Sequence, residues 1–200
     1  MALKTFVKVS TVNNLSDARY CAGMEVDIIG FNLEKESSNY ISPENYKELT
    51  EWLSGVLYAG EFDSYNSTEI IKTIEDYNID YIQVADYGQI DDLKKLDIPL
   101  ILKIDISASG QIPANLEIDY LLITSEEDEL TADQIKKLSD VSNHYNILLG
   151  AGITEQNAET VVKETNAYGI ALQGGDELRP GYKDYDELAD ILEALEEEDY

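Results

Sequence analysis

The stretch FVKVSTVNNLSDARYCAGMEVDIIGF, residues 6 to 31, reads as strand, loop, helix, strand. Val7 and Val9 alternate with Lys8 and Ser10, the period of two that a strand imposes, so Lys8 and Ser10 share one face. Asn14 precedes LSDARYCAG, where a side-chain oxygen can accept from the free N–H groups that open a helix. The apolar run DIIGF then begins a second strand. Ser10 stands where the first strand runs out, which makes it the side chain to watch.

The same unit repeats along the chain. Candidate strands cover 5–10, 27–33, 55–60, 80–85, 99–104, 119–124, 145–150 and 168–173. Helices open at Asn14, at Ser42-Pro43, at Asn66-Ser67 and at Thr154, and 184–197 forms a last amphipathic helix. Strand-then-helix repeats with short loops imply parallel strands, and eight of them predict a (β/α)8 TIM barrel, a single domain over 1–200. A doubly wound open sheet is the alternative at this length. The segment DISASGQIPANLEI carries Gly110 and Pro113 where the fifth helix should run, so that helix is expected to be short or missing.

Forty-one acidic residues against 14 basic ones leave a formal charge of -27. Nucleic acid and anionic membrane surfaces are repelled by such a chain, so neither is expected as a partner. The acid reads first as a solvating surface that salt should stabilise, and second as a face for a basic protein partner. A phosphorylated small molecule would have to be held by local dipoles. The single cysteine, Cys21, excludes a disulfide framework and lies within a predicted helix, which makes it core. No apolar run approaches the 18 residues or so of a membrane span, and the chain is expected to be cytoplasmic. No cofactor motif is present.

In a barrel the working face is the C-terminal ends of the strands. Lys8 and Ser10 look inward there. Gly150-Ala151-Gly152 follows the seventh strand and Gly174-Gly175 the eighth, and N–H groups of such turns beside helix N-termini make a phosphate-sized cradle. Carboxylates crowd the same rim: Glu34, Glu36, Glu61, Asp63, Asp86, Asp105 and Glu126 to Glu129. A pair such as Glu61 with Asp105 could exchange protons. Neither a helical His/Glu pair nor an Asp-x-Asp-x-Asp-Gly loop supports a metal. The one histidine, His144, precedes the seventh strand at the opposite end, out of reach of Ser10.

The succession KVSTVNNLSDA, DIIGFNLEKESSNYISPE, DYIQVA, LLGAGITEQNA and GDELRPGYKD resembles the phosphoribosylanthranilate isomerase family over essentially the whole chain. NYISPENYKEL is similar to the family's RYISPE segment, and Gly175, Glu177, Pro180, Gly181, Lys183 and Asp184 match its SSGVE and PGxKD motifs. The resemblance implies the barrel fold and an Amadori rearrangement in tryptophan biosynthesis, with a cysteine at the end of strand one as base and an aspartate at the end of strand six as acid. Here the motif similar to KxCGIT runs from Lys8 to Asn13, so Ser10 takes the place of the cysteine. The motif similar to LLLD runs from Tyr120 to Ile123, so Ile123 takes the place of the acid. Asn39 stands for an arginine, Ala85 for the histidine after the matching Gln83, and Ala171 for an aspartate.

The implied ligand-binding positions are therefore Lys8, Asn39, Gln83, Gly150, Gly152, Gly174 and Gly175. The first expectation is a relative that keeps the barrel and part of the phosphate cradle but has lost the isomerase chemistry. The alternatives are an active isomerase, on phosphoribosylanthranilate or another sugar phosphate, that works through Ser10 and rim carboxylates, and an acidic interaction module.

Overall fold

The computed structural model describes residues 3–107, 112–125, 127, 129–173, 177–179, 182–183 and 186–196. Eight strands close a parallel barrel in sequence order: β1 (Phe6–Ser10), β2 (Ile28–Asn32), β3 (Leu57–Phe62), β4 (Tyr81–Val84), β5 (Leu100–Asp105), β6 (Tyr120–Thr124), β7 (Ile147–Leu149) and β8 (Gly169–Gln173). The open-sheet alternative is overturned by the pairing of β8 with β1, which runs from Phe6 opposite Gly169 to Ser10 opposite Gln173. A short antiparallel pair, β9 (Glu177–Arg179) and β10 (Tyr182–Lys183), follows β8.

Helices α1 (Leu15–Gly23), α2 (Pro43–Thr50) and α3 (Ser67–Ile74) start at the expected caps. Asn14 accepts from the Asp17 N–H, Ser42 from Asn45, and Asn66 forms a reciprocal capping box with Glu69. The short α4 (Ile90–Leu93) lies between two 3-10 turns, and α5 (Ala132–Val141) opens with a Thr131–Gln134 capping box. Thr154 does not open its helix. Its N–H donates to Asn157 Oδ1 in a closed turn, and α6 (Ala158–Thr165) starts four residues later. The last helix, α7, spans Asp186–Ala194.

Between β5 and β6 the described residues contain no helix. Tyr145 takes over the packing that a helix would supply: its hydroxyl donates to the Pro113 carbonyl at 2.9 Å and accepts from the Leu116 N–H at 3.0 Å. Pro and irregular backbone are tolerated because their polar groups are satisfied from α5's end of the chain.

The apolar core has two layers. Val7, Val9, Phe31, Ile82, Leu102, Ile123 and Leu149 face the helices, whereas Ile28, Ala59, Ile101, Leu122, Leu148 and Ala171 fill the barrel. Phe6, Tyr81 and Tyr120 plug the N-terminal end, with ring centroids 5.3 and 5.8 Å apart. Polar side chains can therefore be accommodated only toward the other end. Among the described residues no helix is long and apolar enough to cross a membrane.

Cys21 is buried in α1, and desolvation, followed by the charge of Asp17, pushes its thiol up to about 12. The folded state thus holds the proton that an unfolded thiol releases near 9.0. The resulting stability is intact below pH 9 and is lost as pH rises toward 12, at up to about 1.4 kcal/mol per unit. Urea denaturation across that window should show a steeper decline for the native chain than for Cys21→Ala. Equal slopes would place the thiol in water.

Candidate active site

Alternation in β1 turns Lys8 and Ser10 into the barrel, and the run LYAGEF in β3 does the same for Ala59 and Glu61. Lys8 is wholly buried and Glu61 nearly so, and the two form an ion pair through Lys8 Nζ and Glu61 Oε1. Lys8 Nζ also donates to Ser10 Oγ at 2.6 Å. The second carboxylate oxygen, Oε2, accepts from the Thr11 backbone N–H at 3.0 Å. β1 and β3 are not neighbours in the barrel, so the pair must cross β2. It crosses at Gly30, where an added Cβ would lie 2.6 Å from Glu61 Cδ, closer still to Oε1, and 2.9 Å from Lys8 Nζ. Glycine is needed here for close approach, not for backbone freedom.

Thr11 has a φ of 55°, a left-handed conformation that costs a β-branched residue roughly 1 to 3 kcal/mol. The strain buys the aim of its N–H at Glu61. Thr11→Gly keeps that N–H and relieves the side-chain clash. After the entropy lost by glycine it should stabilise the chain by about 0.5 to 1 kcal/mol. Thermal denaturation would read this as a raised midpoint, and a lowered one would mean that the threonine side chain contributes more than it costs.

These groups open on a cavity of about 250 Å³ at the C-terminal ends of the strands. Ser10 and Glu61 line it from β1 and β3, Gln83 and Lys103 from β4 and β5, Leu122 and Thr124 from β6, Gly150 after β7, and Ala171 and Gln173 from β8 beside Ser10. At the mouth Lys103 from β5 pairs with Asp63, just beyond β3. Gln83 is buried, and among the described residues its Oε1 has no hydrogen-bond partner. A buried acceptor left unmet costs about 1 to 3 kcal/mol, so the amide is ready for a donor on a bound molecule.

Several expected site residues fall elsewhere. Ile123 does not face the cavity: its side chain is fully buried in the layer beneath the helices. Strand alternation brings Tyr120, Leu122 and Thr124 inward, so Thr124 is the side chain that the end of β6 presents. Asp105 is not paired with Glu61; its carboxylate accepts from the Ser107 N–H at 2.7 Å, closing the turn after β5. Asn39 accepts from Asn13 at 3.2 Å and is outside the cavity lining. Glu34 gathers the N–H groups of Asp63, Ser64 and Tyr65 and so shapes the loop after β3.

Of the four cradle glycines, Gly174 and Gly175 lie outside the described residues. Gly150 lines the cavity, but its N–H is spent on the Ile123 carbonyl at 2.7 Å. Gly152 has a φ of 66°, the turn geometry that glycine permits. His144 lines a separate, mostly apolar hollow with Ile112, Leu116 and Val141, at the other end of the barrel. Among the described residues, no three His, Cys, Asp or Glu side chains are grouped to hold a metal ion.

Lys8, Ser10, Glu61 and Gln83, named from the sequence, lie toward the C-terminal end of the barrel; Lys103, Thr124 and Gly30, which lie there too, were not named. Period-two counting along LILKID and YLLIT would have found the first two. Gly30 shows its purpose only once the strands on either side are placed.

Residues 7–194 match the family model described as N-(5'phosphoribosyl)anthranilate (PRA) isomerase. An N-(5'-phosphoribosyl)anthranilate isomerase from Chloroherpeton thalassium is 27% identical, over 92% of this chain and 91% of that one. The enzyme of the same name from Aquifex aeolicus is 24% identical over 96% and 98%. The crystal structure of phosphoribosyl anthranilate isomerase from Thermus thermophilus superposes with a TM-score of 0.79 at 22% identity, covering 96% and 98% of the two chains.

Proposed function

The chain belongs to the N-(5'-phosphoribosyl)anthranilate isomerase family, and on that premise we propose that it is an active isomerase of a phosphorylated aminosugar, with N-(5'-phosphoribosyl)anthranilate as the substrate to test first. The observation that carries this reading is the buried Lys8–Glu61 pair with the half-buried Ser10 at the wall of the strand-end cavity. Burying two opposite charges gains a fold little, since apolar residues of similar volume are often as stable or more so. Such a cluster in a cleft is favoured as reacting machinery.

The Amadori conversion of an aldose to a ketose takes a proton from one carbon and gives one to its neighbour. Glu61 supplies an acceptor and Ser10 a hydroxyl, on the same wall. The Gln83 Oε1 can accept from a sugar hydroxyl or the substrate's N–H. The phosphate falls to the loop after β7, where local N–H groups must offset a chain of charge -27.

One observation favours a second reading, in which the barrel binds the same compound without turning it over. The rest of the lining includes Leu122, Thr124 and Ala171, none of which titrates near neutral pH. Expression in a bacterium deleted for its own isomerase separates the two. Growth without tryptophan is expected. Absent growth, with the soluble chain still stabilised by a reduced analogue of the product beyond what inorganic phosphate achieves, would replace the isomerase with the binding protein. A ligand at a hundred times its Kd adds about 2.7 kcal/mol, readily visible as a raised Tm.

A further inference from the structure

The place taken by a base in the resembling family is taken here by a hydroxyl that already accepts a hydrogen bond. Lys8 donates to Ser10 Oγ and is ion-paired with Glu61, so it is a donor on both sides and cannot act as a base toward the serine. The proton of Ser10 itself is therefore turned away from Lys8, and Ser10 lines the cavity. Glu61 lines the same cavity, with lone pairs left on a carboxylate that among the described residues accepts from Lys8 and the Thr11 N–H. The two ends of one hydrogen-bonded chain thus reach one ligand space.

We infer that Glu61, Lys8 and Ser10 form a closed proton relay in which Glu61 takes a proton from the substrate and Ser10 returns one, with Gly30 as the positioning residue that lets the chain cross β2. The inference rests on the isomerase reading above. In the first step, from the ring-opened iminium, the substrate C–H bond breaks, its proton goes to a Glu61 oxygen, the electron pair forms the carbon–carbon double bond of an enolamine, and the carbon–nitrogen π pair returns to nitrogen. In the second the Ser10 O–H bond breaks, the double-bond pair takes its proton to make the new C–H bond at the neighbouring carbon, and the pair of the enol O–H bond becomes the carbonyl of the ketone. Lys8 passes a proton to the serine oxygen and receives one from Glu61. The enol hydroxyl's proton leaves to solvent as the carbonyl forms, matching the one taken up when the ring opens. Substrate and product have the same composition, and the cluster ends as it began.

Substrate carrying deuterium on the carbon that loses its proton provides the test, with the product quenched during turnover in ordinary water. The relay predicts that over successive turnovers part of the label reappears on the neighbouring carbon of later product molecules, because protons advance along the Glu61–Lys8–Ser10 chain with each turnover. Ser10→Ala, which removes no charge and leaves Lys8 and Glu61 paired, should abolish that retention. Gly30→Ala pushes the Glu61 carboxylate aside without lining the cavity, so kcat should fall on the order of 100-fold with KM unchanged. A purely structural role for Gly30 would lower the folded fraction and leave kcat per folded molecule alone. Full exchange of the label with solvent during normal turnover would overturn the relay and leave the isomerase standing. Folded chain with no turnover at all would overturn the isomerase reading beneath it.

Discussion

Glu61→Ala is expected to lower folding stability by about 3 to 5 kcal/mol, a drop in Tm of roughly 6 to 20 °C for a domain of this size. The loss does not measure the strength of the ion pair. It arises because the Lys8 ammonium, wholly buried at the barrel wall, is left without a counter-charge and, among the described residues, keeps its bond to Ser10. Lys8→Met should cost a similar amount by stranding the carboxylate, although the Thr11 N–H still satisfies one of its oxygens. The double variant Lys8→Met/Glu61→Leu removes both charges and keeps the volume. It should recover to within about 1 kcal/mol of the native chain, or exceed it. Urea denaturation of the four proteins closes the cycle, with the single losses failing to add. Single variants that each lost under about 1 kcal/mol would describe a solvated surface pair, at odds with the burial seen here.

Turnover should respond to Glu61 in a different way. Glu61→Gln keeps the shape of the side chain and its place beside Gly30 but removes the acceptor of a carbon-bound proton. A general base contributes roughly 100- to 10,000-fold in rate, so kcat should fall by that factor while KM changes little. Because the variant also strands Lys8, rates must be compared at a folded fraction verified by near-ultraviolet circular dichroism. Ser10→Ala should lower kcat as well, and Lys103→Met, at the mouth of the cavity and away from the relay, should act mainly on KM. Glu61→Gln turnover equal to the native rate would remove the carboxylate from the chemistry.

The order of strands and most helix starts were legible because both rest on local rules: alternation for the eight strands, and caps at Asn14, Ser42 and Asn66. Thr154 misled because Asn157, three residues on, claims its N–H and delays the helix by a turn. At the end of β6 a motif match set Ile123 at the cavity, whereas the pleat assigns it to the helix side and gives the cavity Thr124. A shift of one residue in a strand exchanges its two faces, so strand-end residues are best assigned by counting alternation from the core. The Lys8–Glu61 pair was not legible at all. It joins residues 53 apart in the chain across a strand that lies between them, and only barrel closure with a glycine at position 30 brings them together.

The most direct test is the rate at which the purified native chain converts N-(5'-phosphoribosyl)anthranilate, measured across a range of salt because the surface is so acidic. An active isomerase predicts saturable turnover well above the uncatalysed reaction, with kcat in the usual enzymatic range of about 1 to 1,000 per second. A folded chain that binds the reduced product analogue yet leaves the substrate to react at its uncatalysed rate would contradict that claim.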